Sequence, residues 1–305
     1  MSKDFLTGTE FSPGDLSTLI DFADELRNER QQGKLRQTLL GKTLVLLFEK
    51  PSLRTHISFS VAMKELGGFV QESFSSNRKG EEPEDVGRVL EGYAHAIMLR
   101  THEHSILEKM AGSISIPVIN GLSDAHHPCQ ILADLLTLKQ FHGKLKGLKL
   151  SYIGDGNNIL HSLLLMLPPL GVSVSFACPN GYEPNAFIIK KAKALARESG
   201  AQIEGTNDPS TAVLGADVIY TDVWTSMGFE AEGARREEAF AEYQVNAKLY
   251  SKANSGALIM HCLPMVRGKE ISEDLIQHPR SAIFRQAENR LHAQKALLLR
   301  MLGKG

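Results

Sequence analysis

Residues 43–56 read TLVLLFEKPSLRTH and contain the clearest indication of the fold class. Its apolar first half, residues 43–48, predicts a buried strand that ends before Pro51. From Ile57 onward, apolar residues recur at helical spacing until a pair of glycines at residues 67–68 ends the pattern. A buried strand that passes directly into a helix is the unit from which parallel α/β sheets are built.

Ser52, Arg54 and Thr55 stand at the junction between this strand and this helix. The first turn of a helix presents free backbone N–H groups and the positive end of the helix dipole, so it attracts anions. Arg54 adds a planar guanidinium that matches the geometry of phosphate oxygens. An ordinary capped helix with a surface arginine would contain the same residues, so the junction alone leaves both interpretations open.

Length and composition exclude several classes of protein. A chain of 305 residues is long enough for two domains, and its net charge of -1 with a pI near 6.8 gives no basic excess for nucleic acid. No apolar run is long enough to span a membrane, and the N-terminal residues lack the apolar core of a signal peptide. We therefore expect small-molecule ligands, with no nucleic-acid partner and no membrane partner.

The cysteines and glycines add two further expectations. Cys129, Cys178 and Cys262 are odd in number, widely separated and in no CxxC pair, which favours a reducing compartment and argues against a structural zinc site. The turn at residues 154–159 has two glycines of a dinucleotide-binding fingerprint but lacks the third. We therefore expect a cytoplasmic protein that uses no nicotinamide cofactor and holds no metal.

Strand-like and helix-like segments alternate along the whole chain. This alternation predicts an α/β protein with two consecutive doubly wound parallel-sheet domains and the active site in the cleft between them. A composition change at residues 142–147 separates a first domain, 1–140, from a second domain, 141–286. A C-terminal helix, 287–305, is expected to pack back on the first domain. Further strands are predicted at residues 69–74, 96–99, 117–120, 148–153, 172–177, 203–206, 217–223, 258–260 and 282–284.

Polar residues of chemical interest follow the predicted strands. In a parallel sheet, ligands bind beyond the carboxyl ends of the strands, so residues that follow different strands meet in one cleft. Their shared placement favours a binding site over random surface polarity. The residues at such positions are Ser52, Arg54, Thr55, Arg100, His127, Asn158, Asp222, Ser226 and Cys262.

The residues of the first half suit a phosphate that is joined to a carbonyl group. Arg54 and Arg100 can neutralise the phosphate charge. Thr55, Arg100 and His127 can polarise a carbonyl oxygen as negative charge develops on it. Gln130, one turn further along the same helix, can accept from and donate to an amide-like group. His127 taken alone also fits a helix cap or a buried structural histidine.

The residues of the second half suit an amino acid. Asp222 can pair with an ammonium group, and Asn158 together with N–H groups near Met227 can hold a carboxylate. Asp222 taken alone also fits an aspartate that caps a loop. Cys262 fits either a reactive thiol or a small buried hydrophobe at a strand end, and no histidine at a recognisable spacing marks it as a nucleophile.

Five motifs taken together resemble those of the ornithine carbamoyltransferases. The strand-end motif with Arg54 is shared by the wider aspartate/ornithine carbamoyltransferase superfamily, whereas Ser-Met-Gly with His-Cys-Leu-Pro is specific to the ornithine branch. The resemblance extends from one end of the chain to the other. The motifs are Ser52-Leu53-Arg54-Thr55, His127-Pro128-Cys129-Gln130, Asp222-Val223-Trp224-Thr225-Ser226-Met227-Gly228, His261-Cys262-Leu263-Pro264 and Ala287-Glu288-Asn289-Arg290.

The resemblance implies a reaction and the residues that carry it. A carbamoyl group would pass from carbamoyl phosphate to the δ-amine of L-ornithine by direct displacement, without a cofactor, giving citrulline and phosphate for arginine biosynthesis. The residues implied to bind carbamoyl phosphate are Ser52, Leu53, Arg54, Thr55, Arg100, His127, Gln130, Cys262, Leu263 and Arg290. Those implied to bind ornithine are Asn158, Asp222, Ser226 and Met227, and those implied in catalysis are Arg100, His127, Asp222 and Cys262.

The resemblance also implies a homotrimer whose sites lie near the subunit interfaces, with the loop after the second strand reaching into a neighbour. Two positions depart from the family pattern: His56 stands where an arginine is usual, and Ser76 stands where many ornithine enzymes have a glutamine. Two alternatives therefore stay open. One is a carbamoyltransferase for putrescine, an acylated ornithine or aspartate, and the other is a binding or regulatory paralogue without turnover. Asp222 helps to distinguish ornithine from an acylated ornithine, because a free α-ammonium gives its carboxylate a partner and an acylated amine does not.

Overall fold

The computed structural model describes residues 2–74, 80–225 and 232–303. The chain forms two compact units, one of residues 1–136 with 288–305 and the other of residues 137–287. Each unit contains one sheet in which the neighbouring strands run parallel. The predicted fold class, two consecutive parallel-sheet α/β domains, is confirmed.

The first unit is built on a four-stranded sheet with the strand order β2-β1-β3-β4. The inner strand β1 pairs in parallel with β3, so the turn that follows β1 lies beside the turn that follows β3. The N-terminal segment covers the outer edge of β4, because Phe5 N–H donates to Val118 O and Asn120 N–H donates to Phe5 O. The elements are α1 Pro13–Gln31, β1 Thr43–Phe48, α2 Leu53–Glu65, β2 Phe69–Phe74, α3 Pro83–Glu91, β3 Ala96–Arg100, α4 His104–Ser113, β4 Val118–Leu122, α5 Pro128–His142 and, from the end of the chain, α12 Ile283–Leu302.

The second unit is built on a five-stranded sheet with the strand order β7-β6-β5-β8-β9. The order reverses at β5, and the turns after β5, β8 and β9 lie side by side at one edge. Ligands of open parallel sheets bind at such a reversal. The elements are β5 Lys149–Ile153, α6 Asn158–Met166, β6 Ser173–Ala177, α7 Ala186–Leu195, β7 Ile203–Thr206, α8 Pro209–Ala212, β8 Val218–Thr221, α9 Gly233–Phe240, α10 Ala247–Tyr250, β9 Leu258–His261 and α11 Glu273–Ile276.

The inner strands β1 and β3 are buried along nearly their whole length, as expected of parallel strands that are covered on both faces. In β1, Leu44 and Leu46 are fully buried, and so is Leu99 in β3. The glycine-containing turn after β5 has a packing explanation of its own: a Cβ atom added at Gly156 would lie 2.2 Å from the backbone nitrogen of Pro184. None of the described helices has the length and apolar composition needed to cross a membrane.

Most predicted elements appear where the pattern placed them, and one does not. The strand predicted at residues 282–284 is wrong, because only Ser281 makes an isolated bridge to Ile259 and α12 already begins at Ile283. The final helix therefore starts four residues before Ala287, where the sequence pattern began it. A run of three residues is too short for periodicity to separate a strand from the first turn of a helix.

Candidate active site

The first turn of α2 is fixed by the hydroxyl groups of Ser52 and Thr55. Ser52 is the N-cap residue in an extended conformation, and its Oγ accepts from the Thr55 N–H at 3.4 Å. The same hydroxyl donates to Thr55 Oγ1 at 3.1 Å. Thr55 is fully buried, Arg54 is half-buried and Leu53 is exposed. The predicted junction is therefore a capped helix N-terminus in which Thr55 faces the protein interior.

Arg290 in α12 joins this turn to α5. Its Nη1 donates to Gln130 Oε1 at 2.9 Å, and its Nη2 donates to Thr55 Oγ1 at 3.1 Å. The oxygen of Thr55 thus receives hydrogen bonds from both Ser52 and Arg290. In the described part of the chain its own hydroxyl proton has no acceptor, so it can donate to a ligand oxygen.

Arg100, at the end of β3, is a buried cation without a protein counter-charge among the described residues. Its side chain is 5% exposed, and its Nε has no hydrogen-bond partner in the ranges that the structure describes. Burial, together with the positive charges of Arg290 and Arg54, lowers the pKa of Arg100 to about 10. Three guanidinium groups are therefore close enough to repel one another. Such a cluster is stabilised by an anion.

His127 is buried beside the same arginines. Burial holds the pKa of His127 well below its usual value of 6.5, and Arg290, Arg100 and Arg54 push it in the same direction. The imidazole is therefore neutral at neutral pH and has one N–H to donate. The preceding loop is fixed by the hydroxyl of Ser123, which accepts from the His126 N–H at 3.1 Å.

Glu49 ties the turn after β1 to the turn after β3, and sequence reasoning missed it. Its Oε2 accepts from Thr101 Oγ1 at 2.5 Å and from the His102 N–H at 2.9 Å. Its own N–H donates to Arg100 O at 2.8 Å. Glu49 thus holds the chain from Arg100 to His102. Its place beside the predicted anion loop is visible in the sequence, but its partners about fifty residues away are not.

Asp134 is a second residue that the sequence did not single out. It is fully buried on α5, one turn after Gln130, and its Oδ1 accepts from Gln130 Nε2 at 2.9 Å. Each end of the Gln130 amide therefore has a protein partner, Arg290 on the oxygen and Asp134 on the nitrogen.

Asp222, directly after β8, lies at the centre of the polar groups in the second unit. Its Oδ1 accepts from Cys262 Sγ at 3.0 Å and from the Val223 N–H at 2.8 Å. Its Oδ2 accepts from Asn157 Nδ2 at 2.8 Å. The side chain of Asp222 is buried, with 6% exposure. The structure therefore brings together Asp222 and Cys262, two of the predicted site residues.

Asn157, and not the predicted Asn158, makes the contact with Asp222. Asn157 is the N-cap of α6, and its Oδ1 accepts from the N–H groups of Ile159 and Leu160 at 3.0 and 3.2 Å. Asn158 is the first helical residue and is half-buried. The cap preference of asparagine was the available signal for Asn157, since Asn is among the preferred N-cap residues.

His261 fixes the backbone beside Cys262. Its Nδ1 accepts from the Leu263 N–H at 2.9 Å, so its Nε2 carries the proton and donates to Glu270 Oε1 at 3.0 Å. Leu263 has φ of 61°, a conformation that non-glycine residues rarely adopt. The bond from His261 therefore helps to hold Leu263 in a strained position at the end of β9.

Asp222, His261 and Cys262 each offer one potential metal ligand atom, and these atoms lie within 4.8 Å of one another. A carboxylate, an imidazole and a thiolate are ligands that zinc accepts. Both ring nitrogens of His261 are already engaged, however, so a metal could take this imidazole only by breaking one of its two hydrogen bonds.

Arg236 fixes the chain on both sides of residues 226–231. Its Nη1 donates to Asp155 Oδ2 at 2.8 Å and to Trp224 O at 2.9 Å, and its guanidinium lies over the Tyr182 ring. Ser226 and Met227, which the sequence predicts to bind ornithine, lie outside the described residues, as does Ser76.

Each unit thus gathers a set of the predicted residues. The first unit brings together Ser52, Arg54, Thr55, Arg100, His127, Gln130 and Arg290 through hydrogen bonds or mutual electrostatic influence. The second unit brings together Asp222, Cys262 and Leu263 at the ends of β8 and β9, with Asn158 at the start of α6.

Two family models match the chain. Residues 3–140 match the aspartate/ornithine carbamoyltransferase carbamoyl-P binding domain, and residues 146–301 match the aspartate/ornithine carbamoyltransferase Asp/Orn binding domain. Together the two matches span nearly the whole chain.

Curated relatives and solved structures agree with these matches. The chain is 50% identical over 303 residues to ornithine carbamoyltransferase from Anoxybacillus flavithermus, covering 98% of this chain and 96% of that protein. It is 48% identical over 306 residues to ornithine carbamoyltransferase from Bacillus subtilis, covering 99% and 95%. The structure of ornithine carbamoyltransferase from Pyrococcus furiosus matches with a TM-score of 0.94 at 45% identity, covering 97% of this chain and 96% of that one.

Proposed function

The chain belongs to the aspartate/ornithine carbamoyltransferase family, and we propose that it transfers the carbamoyl group of carbamoyl phosphate to the δ-amine of L-ornithine. The products are citrulline and phosphate. The observation that carries this proposal is Arg100, a buried guanidinium that is influenced by the charges of Arg54 and Arg290 and by no carboxylate among the described residues. The names of the relatives support ornithine as the second substrate.

The first unit binds carbamoyl phosphate in this proposal. The N-terminus of α2, with Ser52, Leu53 and Arg54, holds the phosphate oxygens through backbone N–H groups, hydroxyl groups and the guanidinium. Arg100 and Arg290 neutralise the rest of the phosphate charge. The matched carbamoyl-P binding domain, residues 3–140, supports this assignment.

The carbonyl oxygen of the carbamoyl group is polarised by the same cluster. In this proposal the hydroxyl of Thr55, the N–H of His127 and the guanidinium of Arg100 donate to that oxygen. A neutral His127 is suited to this task, because its one N–H group can donate a hydrogen bond to the carbonyl oxygen. Donors that are already in place stabilise the oxyanion as the amine attacks, without reorganisation. Gln130 takes the amide end of the carbamoyl group.

The second unit binds ornithine. Asp222 pairs with the α-ammonium group, while Asn158, Ser226 and Met227 hold the α-carboxylate. Cys262 and the backbone of Leu263 stand beside the reacting carbon. The matched Asp/Orn binding domain, residues 146–301, supports this assignment. In this scheme residues 1–140 form the carbamoyl-phosphate domain and residues 141–286 the ornithine domain, with the helix in 287–305 contributing Arg290 to the first.

The chemical step is a direct displacement. The δ-nitrogen forms a bond to the carbamoyl carbon, the bond from that carbon to the phosphate oxygen breaks, and the amine proton leaves to an acceptor. An alkyl ammonium has a pKa of about 10.4, so it must lose a proton before it attacks, and shifting its pKa by about three units requires roughly 4 kcal/mol. Desolvation and nearby cations contribute to this shift, and Cys262 and Asp222 are the candidate acceptors.

A homotrimer in the cytoplasm that serves arginine biosynthesis completes the proposal. Large apolar side chains on α2 and β2 support an interface on the first unit, because Leu53, Ile57 and Phe69 are 74%, 48% and 63% exposed. Cys129, Cys178 and Cys262 form no disulfide among the described residues, which supports a reducing compartment. Light scattering of the purified protein tests the trimer directly, since a mass of one subunit would contradict it.

The proposed function is tested by incubating the protein with carbamoyl phosphate and a panel of amines: ornithine, putrescine, N-acetylornithine, aspartate and lysine. We expect citrulline and phosphate from ornithine at a rate far above that of the other amines. Turnover with another amine and none with ornithine would replace the substrate assignment. Binding of carbamoyl phosphate without turnover of any amine would indicate a paralogue that only binds.

A further inference from the structure

The Gln130 amide is held in one orientation by two neighbours of opposite hydrogen-bonding character. Arg290 can only donate, and it meets Oε1 at 2.9 Å. Asp134 accepts from Nε2 at 2.9 Å. If the amide turned over, its nitrogen would meet the Arg290 donor and its oxygen would meet the Asp134 carboxylate. Both contacts would then be lost in a place where water cannot replace them, since Gln130 is 1% exposed.

The orientation matters because Oε1 is on the side of the anion-binding groups. The guanidinium that contacts Oε1 also contacts Thr55 in the first turn of α2. A carbonyl oxygen can accept two hydrogen bonds, and Arg290 uses one of them. The second is available to an N–H donor on a ligand bound at that turn.

We infer that Asp134 is a positioning residue that makes the site selective for an acyl phosphate bearing an NH2 group. This inference rests on the proposed function, in which Gln130 binds the amide end of the carbamoyl group. Asp134 holds Nε2, so the oxygen of Gln130 stays on the side of Arg290 and the first turn of α2. The NH2 of carbamoyl phosphate then gains a hydrogen bond, whereas the CH3 of acetyl phosphate, which has nearly the same shape, leaves a buried oxygen unpaired.

The experiment compares two acyl phosphates in the full-length protein. The KM for carbamoyl phosphate is measured with ornithine as the amine, and the inhibition constant of acetyl phosphate is measured in the same assay. Their ratio reports discrimination between NH2 and CH3. Asp134→Leu removes the acceptor while keeping the same branched arrangement of heavy atoms, and we expect the ratio to fall about tenfold, with most of the change in the KM for carbamoyl phosphate.

Two further variants separate orientation from a general loss of packing. Asp134→Asn keeps an acceptor oxygen at the same place, so it should retain most of the discrimination. Gln130→Met removes the amide, and Asp134→Leu in that background should leave the ratio unchanged, because the residue through which Asp134 acts is gone. If Asp134→Leu does not fold, Asp134→Ala carries the same expectation.

Glu65→Gln is the matched control, since Glu65 forms a partly buried ion pair with Lys295 at 2.6 Å in the same unit and is not part of the site. It should shift both constants together and leave the ratio unchanged. Equal losses for both acyl phosphates in Asp134→Leu, or additive effects with Gln130→Met, would overturn the inference. Absence of citrulline with the unsubstituted protein would instead contradict the proposed function, so the two failures are distinguishable.

Discussion

Arg290 in α12 donates to the hydroxyl oxygen of Thr55 in the first turn of α2 at 3.1 Å, across 235 residues of sequence. The same guanidinium holds Gln130 in α5. One side chain therefore joins three elements that contribute to the proposed carbamoyl-phosphate site. An arginine is suited to this role because its planar fork can address two acceptors at fixed directions at once.

Arg290→Lys keeps the positive charge but loses the fork. A single ammonium cannot hold both Thr55 and Gln130, so we expect the KM for carbamoyl phosphate to rise about tenfold while the KM for ornithine changes less than about twofold. Steady-state kinetics with each substrate varied in turn measure both constants. Arg300→Lys, on the same helix and paired with Asp15 away from the site, is the control. An unchanged KM for carbamoyl phosphate would remove Arg290 from the proposed site.

Arg100 is expected to lower the stability of the ligand-free protein. The fall of its pKa from 12.5 to about 10 shows that the charged form is disfavoured where it lies. Arg100→Met should therefore raise the free energy of unfolding by roughly 1–3 kcal/mol, while abolishing the stabilisation that inorganic phosphate gives the unsubstituted protein. Urea unfolding with and without phosphate measures both effects. A less stable variant without phosphate would mean that the charge of Arg100 is already compensated.

The burial of His127 predicts a pH dependence whose sign follows from its lowered pKa. In the unfolded chain this histidine binds a proton below about pH 6.5, whereas in the folded chain it stays neutral to much lower pH. The unfolded state then binds more protons, so stability is retained above pH 6.5 and falls as the pH decreases, by about 1.4 kcal/mol per unit.

His127→Asn removes this contribution. When the pH is lowered from 7 to 5, the free energy of unfolding should fall in both proteins, and the fall should be smaller by roughly 2 kcal/mol in the variant. Urea unfolding at pH 7, 6 and 5 provides the comparison. Parallel pH profiles for the two proteins would show that His127 is protonated in the folded state.

The sequence predicted the parts of this fold that depend on local pattern. The strands at residues 43–48, 69–74 and 203–206 have the predicted bounds, because each is a short run bounded by turn residues. The helix after Ser52 also begins where the cap pattern placed it. The start of α12 was misplaced because Ile283 and Phe284 follow Ala282 in an apolar run that fits either kind of element.

The sequence predicted those residues of the site that directly follow a strand. Asp222 and Cys262 were expected on that ground, and the structure joins them by a hydrogen bond. Asp134 was missed because it stands inside the apolar run of α5, where nothing in the local pattern distinguishes it. Its significance depends on Gln130 and on Arg290, which is 160 residues from Gln130 in the sequence. Such pairings are set by tertiary packing, which local periodicity does not encode.

Asn157 combines a structural task with a contact to the proposed ornithine site, and two substitutions separate them. Serine is also a good N-cap, so Asn157→Ser should change the unfolding free energy by less than about 0.5 kcal/mol. It cannot replace the hydrogen bond from Nδ2 to Asp222, so the KM for ornithine should rise about fivefold. Asn157→Ala should raise that KM similarly and cost about 1 kcal/mol more through the lost cap. An ornithine KM that rises only with alanine would assign the whole effect to the cap.

His56, which stands where the family usually has an arginine, faces Glu72 on β2. Its Nε2 pairs with Glu72 Oε1, and its ring meets the edge of the Phe48 ring at a centroid distance of 6.2 Å. Arginine can make a contact with the same carboxylate, so His56→Arg should leave kcat and the KM for carbamoyl phosphate within about threefold of the unsubstituted values. Steady-state kinetics of both proteins measure these constants. Glu72→Gln is a further variant, which weakens the same contact by changing the carboxylate. A protein that is inactive with histidine and gains turnover with arginine would instead identify His56 as the residue that disables a binding paralogue.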